Sequence, residues 1–90
     1  MEAKTSNNEK IILTGWLHSI RSDGSIGRKP FRESYKRNEL EKDVALHAGM
    51  TEPMRADSKN FIDYCEYYIN AKNGYDPNKK FVILKTINIE

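Results

Sequence analysis

Few side chains in this sequence carry the chemistry of an active site. His18 and His47 are its only histidines and Cys65 its only thiol. A zinc site takes three or four ligands, usually in close pairs, and neither a CxxC nor an HxxxH spacing occurs. His18 falls in an apolar-rich N-terminal stretch. His47 falls near the end of a helical pattern, where its charge suits the negative end of the dipole. Both read as structural. Cys65 falls on an apolar helical stripe and reads as a small core residue, since a nucleophilic thiol wants exposure and nearby positive charge. Gly24-Ser25-Ile26-Gly27-Arg28-Lys29 has the outline of a phosphate cradle, without the Lys-Ser/Thr ending of a P-loop or the third glycine of a dinucleotide fingerprint. No catalytic residue, metal-ligand set or cofactor is assigned.

What remains is recognition. Arg21, Arg28, Lys29, Arg32, Lys36 and Arg37 stand against Asp23 and Glu33 between residues 21 and 37, a net of +4. Residues 38–63 hold three cations against six carboxylates, a net of −3, and the whole chain carries +2. A basic loop followed by an acidic helical region makes a dipolar surface that can steer a partner onto one face. Tyr64 and Tyr67 flank the apolar stripe of a helix, and tyrosine favours contact surfaces. The expectation is a small non-catalytic regulator or inhibitor of the kind found in bacteria and their phages. It would bind a protein or a protein–nucleic-acid complex through Arg21, Arg28, Lys29, Arg32, Lys36 and Arg37, with Tyr64 and Tyr67. The alternative is direct nucleic-acid binding by the same basic segment, with affinity falling steeply with salt. An enzyme ranks third: small ribonuclease toxins work with scattered Arg, Lys, Tyr and His, so His18, Arg21 and Tyr35 would have to converge on one bond.

The elements that position these residues are legible from periodicity. Residues 1–9 are polar and aperiodic and read as a loose tail, with one α+β domain over 10–90. From Ile11 to Ile20 a strand is expected. Ile12, Thr14, Trp16, His18 and Ile20 share one face and Ile11, Leu13, Gly15, Leu17 and Ser19 the other, so the strand reads as central. Gly15 marks a bulge or a close backbone approach. Asp23-Gly24 supplies a hairpin turn, with Ser25–Lys29 a short return strand that Gly27 and Pro30 limit. A first helix is expected from an Asn38 cap with Glu41 three residues on, ending at Gly49; Phe31 and Tyr35 are assigned to an extra turn before it. A second helix is expected from a Thr51 cap with Pro53 in its first turn, or alternatively from Ser58, through Asn73-Gly74. The last strand runs from Phe81 to Ile89. The order β-(β)-α-α-β implies a two-layer α+β sandwich: an antiparallel sheet of two to three strands with both helices on one face.

Ile11 to Arg21, read as IILTGWLHSIR, resembles the first strand of the OB-fold anticodon-binding domains of class II aminoacyl-tRNA synthetases. The resemblance covers eleven of 90 residues. Two helices then stand where that fold continues with strands, and those enzymes' catalytic motifs are absent. The closing pattern of helix, Asn-Gly-Tyr and apolar strand is similar to that of small immunity and inhibitor proteins, and is too generic to transfer residues. No family is assigned.

At 90 residues, with 38% apolar content, the chain must commit nearly every large apolar residue to its core. Dimerisation is a common remedy for so thin a core, so a homodimer is among the expectations. A single cysteine makes no intramolecular disulfide and favours a reducing compartment. No apolar run of membrane-spanning length and no secretory leader is visible, so no membrane contact and a cytoplasmic location are expected.

Overall fold

In the computed structural model, which describes residues 9–90, three strands and two helices follow the order β1 (Lys10–Ile20), β2 (Ile26–Lys36), α1 (Arg37–His47), α2 (Phe61–Lys72) and β3 (Lys80–Ile89). The sheet is antiparallel with spatial order β2-β1-β3, so β1 is central. This is the α+β arrangement expected, both helices packing on one face. The expected tail over 1–9 lies outside the described residues except for Glu9, whose carbonyl and carboxylate both accept hydrogen bonds from Arg37.

The β1–β2 hairpin is closed by residues 21–25. Gly24 takes φ +88°, Arg21 and Ser25 pair through their backbones at 2.8 Å, and Asp23 accepts from both the N–H and the hydroxyl of Ser25. Those Ser25 donors hold the Asp23 carboxyl below its usual value.

β2 is longer than expected. It runs through Gly27 and Pro30 to Lys36, taking in Phe31 and Tyr35, which the sequence assigned to a helical turn. Pro30 is tolerated because β2 is an edge strand, where a missing N–H interrupts no inner ladder.

Between Thr14 and Gly15 the β1–β3 register shifts: Thr14 pairs with Thr86 and Gly15 with Leu84, leaving Lys85 as the extra residue of a bulge. Gly15 is required there, since a Cβ would lie 2.0 Å from the Ile83 carbonyl oxygen and 2.7 Å from the Leu84 Cα. The bulge also switches the alternation of β3. Val82 and Leu84 therefore share the helix-facing side with Ile87 and Ile89, while Phe81 and Ile83 face the other way.

The core lies between sheet and helices. Ile11 and Leu13 of β1 with Val82 and Leu84 of β3 meet Leu40 and Val44 of α1 and Phe61, Cys65 and Ile69 of α2. Burial pushes the Cys65 thiol up to about 12, so it stays protonated and packs as an apolar residue.

Two helix starts differ from expectation. α1 opens after Lys36 without a side-chain cap. Asn38 sits inside its first turn, and Glu41, expected to reach back to the cap, is held elsewhere. Its Oε2 accepts from Arg37 Nε at 3.1 Å and from the Ala56 N–H at 2.7 Å. That second bond, with Met54 N–H donating to the Glu41 carbonyl, fastens residues 54–56 against α1 as non-helical chain. A helix capped by Thr51 would need the Ala56 N–H for the Glu52 carbonyl. α2 consequently begins at Phe61, nearer the Ser58 alternative, and ends as expected at Asn73-Gly74, where Gly74 takes φ +66°.

Candidate functional site

Strand alternation sorts the side chains of β1, β2 and β3 onto two faces. One carries the helices. The other presents Ile12, Thr14, Trp16, His18 and Ile20 from β1, Ile26, Arg28, Pro30, Arg32, Ser34 and Lys36 from β2, and Phe81, Ile83, Thr86 and Asn88 from β3. Apart from the buried Ile12, these side chains are half-buried or exposed, and none belongs to the core cluster or packs against it.

The rings on this face are mutually supported. His18 and Phe81, cross-strand partners, stack with centroids 5.0 Å apart and planes 15° from parallel. Trp16 lies beside them, with the Arg28 guanidinium 5.2 Å over its ring. Ile26 is 55% exposed beyond the pair. Arg28, Arg32 and Lys36 recur every fourth residue and so fall on the same side of β2, all exposed. No Asp or Glu occupies a strand position on this face.

The eight residues singled out from sequence are divided by the fold. Arg28, Arg32 and Lys36 share the open face. Lys29 pairs with Leu17 and points to the helix side. Arg21 is folded back on its own turn: Nη1 donates to Ser25 Oγ at 3.0 Å, and the guanidinium lies over Gly27. Arg37 ties Glu9 to Glu41 at the start of α1, with contacts of 2.6 and 3.1 Å, and the Glu41 and Glu9 carboxylates raise its pKa further. Tyr64 and Tyr67 are exposed on α2, in the other layer, where Tyr67 packs 4.9 Å from His47.

The enzymatic trio does not converge. His18 is on the open face and Arg21 in the turn. Tyr35 faces the helices beside Glu33, to which its hydroxyl donates, and sits seven pairing positions from His18, about 23 Å along the strands. Burial, then the Glu33 carboxylate, raises the Tyr35 pKa well above the usual value, which makes that hydroxyl a poor acid. Among the described residues no group of three or more His, Cys, Asp or Glu is placed to hold a metal ion, and no helix is long and apolar enough to cross a membrane.

A concavity of about 320 Å³ lies between α2 and the segment entering β3, lined in part by Asp63, Tyr67, Tyr75, Pro77 and Phe81. Its polar floor is already engaged. Asn70 accepts from the Val82 N–H at 2.7 Å and donates to the Val82 carbonyl at 3.0 Å, while Glu66 accepts from the Leu84 N–H at 2.9 Å. Two side chains of α2 thus stand in for a fourth strand along the outer edge of β3. Among the described residues nothing comparable covers β2, the other edge, which carries Arg28, Lys29, Pro30 and Arg32, residue types that discourage edge-to-edge pairing.

Comparison with protein-family models, curated proteins and solved structures returns no match. Trp16, Phe81 and Ile83 are absent from the site read in sequence, and His18 entered there only in the enzymatic reading. Their signal was the shared alternation of residues 12–20 and of 28, 32 and 36. It was masked because a central strand suggests two buried faces.

Proposed function

We propose that this chain is a small non-catalytic binding protein, of regulator or inhibitor type, that engages a macromolecular partner through the open face of its sheet. The carrying observation is that face itself. It carries the half-buried Trp16 and His18–Phe81 stack and the exposed Ile26 beside the exposed Arg28, Arg32 and Lys36, none of them in the core cluster. Soluble domains seldom leave a ringed apolar patch with a charged rim unless something binds it. The contact set from sequence narrows accordingly, with Arg21 and Arg37 engaged in the fold. A reducing, intracellular setting belongs to the same proposal and suits the free Cys65.

Affinity capture from lysate, with bound protein and bound nucleic acid both recovered, tests this reading with the wild type, Arg28→Glu/Arg32→Glu and Lys29→Glu. The partner is expected to be retained by wild type and Lys29→Glu and lost with the open-face double variant. Equal capture by all three would move the contact surface elsewhere, and turnover of a substrate would end the non-catalytic reading.

A further inference from the structure

Granted that the open face is the contact surface, its chemistry narrows the partner. Arg28, Arg32 and Lys36 form an exposed row along β2, each step of four residues spanning about 13 Å. Beside that row, on β1 and β3, lie flat rings: Trp16, and His18 stacked on Phe81. Arg28 already lies over Trp16, so an arriving planar group meets a guanidinium carried on an indole. No strand position on the face is acidic, and Glu90 follows β3 at the end remote from Trp16. A line of cations running beside a line of rings complements a chain with an anionic backbone and flat, stackable side groups.

We propose that the open face binds single-stranded nucleic acid, with phosphates along Arg28, Arg32 and Lys36 and bases stacked on the Arg28 guanidinium over Trp16 and against the His18–Phe81 pair. Stacking on aromatic rings and guanidinium planes needs bases that are not already stacked in a helix, which favours single strands over duplex. A second copy fits poorly. A two-fold contact through this face would set the same cationic row against itself without a carboxylate between. An acidic peptide would meet the cations but leave the rings without a planar partner.

Trp16 is the only tryptophan, so its fluorescence reports occupancy of the face directly. The full chain is titrated with an oligothymidylate, an oligouridylate, a hairpin duplex and polyglutamate. Either single strand is expected to quench Trp16 at micromolar protein, with the duplex at least tenfold weaker and polyglutamate without effect. Three phosphate contacts imply a loss of about 20-fold in affinity between 50 and 200 mM salt. Arg28→Glu/Arg32→Glu should weaken binding at least tenfold. Lys42→Glu/Lys59→Glu, which makes the same charge change off this sheet, should stay within about twofold. Circular dichroism melts verify that both variants fold; if the first does not, Arg32→Ala/Lys36→Ala replaces it and leaves the Arg28–Trp16 contact intact.

The proposal is overturned by any of four results: no quenching by either oligonucleotide at low salt, equal affinity for duplex, equal quenching by polyglutamate, or equal losses in the two charge variants. A dimer in sedimentation that the open-face variant dissociates would assign the face to a second copy and overturn it as well. If oligonucleotides fail while Arg28→Glu/Arg32→Glu still loses a captured protein, the contact surface stands and only the nucleic-acid identity falls.

Discussion

Asn70→Ala removes the amide that closes the outer edge of β3. In the native chain this side chain accepts from the Val82 N–H at 2.7 Å, donates to the Val82 carbonyl at 3.0 Å and donates to the Glu66 carbonyl at 3.0 Å. Val82 is 1% exposed, and its backbone groups meet solvent only through the concavity that Asn70 floors. A buried polar group left without a partner costs about 1–3 kcal/mol. Two such groups, partly rescued by relaxation at a sheet edge, give about 3 kcal/mol. For a domain of this size each kcal/mol lowers Tm by about 4–8 °C, so a fall of about 12–24 °C is expected. Asn70→Asp isolates the chemistry from the shape. It still accepts from the Val82 N–H, but at neutral pH it sets a carboxylate against the Val82 carbonyl with no proton between. It should be as damaging as alanine at pH 7 and partly recover as acid protonates the new carboxyl. Urea unfolding gives the free energies, and hydrogen exchange at the Val82 and Leu84 amides locates the loosening. If Asn70→Ala melts within about 0.5 kcal/mol of wild type with unchanged exchange at Val82, α2 does not hold the strand edge.

Three further outcomes follow from particular contacts. Gly15→Ala drives a Cβ to 2.0 Å from the Ile83 carbonyl oxygen, backbone that cannot swing aside. Overpacking of this kind costs about 1–3 kcal/mol or more, read as a lowered urea midpoint with exchange rising at the Leu84 amide. Glu41→Ala removes the acceptor of the Ala56 N–H and one partner of Arg37, costing about 1–3 kcal/mol, with proteolytic nicking appearing between residues 50 and 60 before the rest of the fold is cut. The native Cys65 thiol, pushed to about 12 from an ordinary 9.0, remains protonated where the unfolded chain's thiol ionises. Its contribution is complete below about pH 9 and is lost towards pH 12, at up to about 1.4 kcal/mol per pH unit. Wild type minus Cys65→Ala in urea titrations should show that alkaline loss, and iodoacetamide should label Cys65 only as fast as the fold opens; rapid native labelling would contradict its burial.

Local pattern carried much of the fold. The alternation of Ile11–Ile20, the Asp23-Gly24 turn, the stripe of Phe61, Cys65 and Ile69 and the Asn73-Gly74 stop are each specified within a few residues, by the period of the backbone or by positive φ. They suffice for the order β-β-α-α-β and for both helices on one side of the sheet. The errors lie where a distant residue outbids the local signal. Pro30 and Gly27 look like strand breakers, yet β2 runs past them because β1 supplies a partner along its whole length and β2 is the edge of the described sheet. Thr51 and Pro53 look like a helix start, yet Glu41, fifteen residues before Ala56, claims that residue's N–H and delays α2 to Phe61.

The candidate site divides in the same way. Composition alone identifies the basic stretch at 21–37, because charge is a property of residue type. Which of those cations point together is set by register. Arg28, Arg32 and Lys36 share a face with Trp16 because β2 pairs with β1 from Lys10–Lys36 to Ile20–Ile26, whereas Arg21 and Arg37 find partners in a turn and in Glu9 and Glu41. The place of Trp16, half-buried on the face away from the helices, could not be read from a strand apolar on both faces. It follows from the helix count: two short helices cover one face of the sheet, and among the described residues no further layer covers the other, where Trp16, Ile26, Phe81 and Ile83 lie.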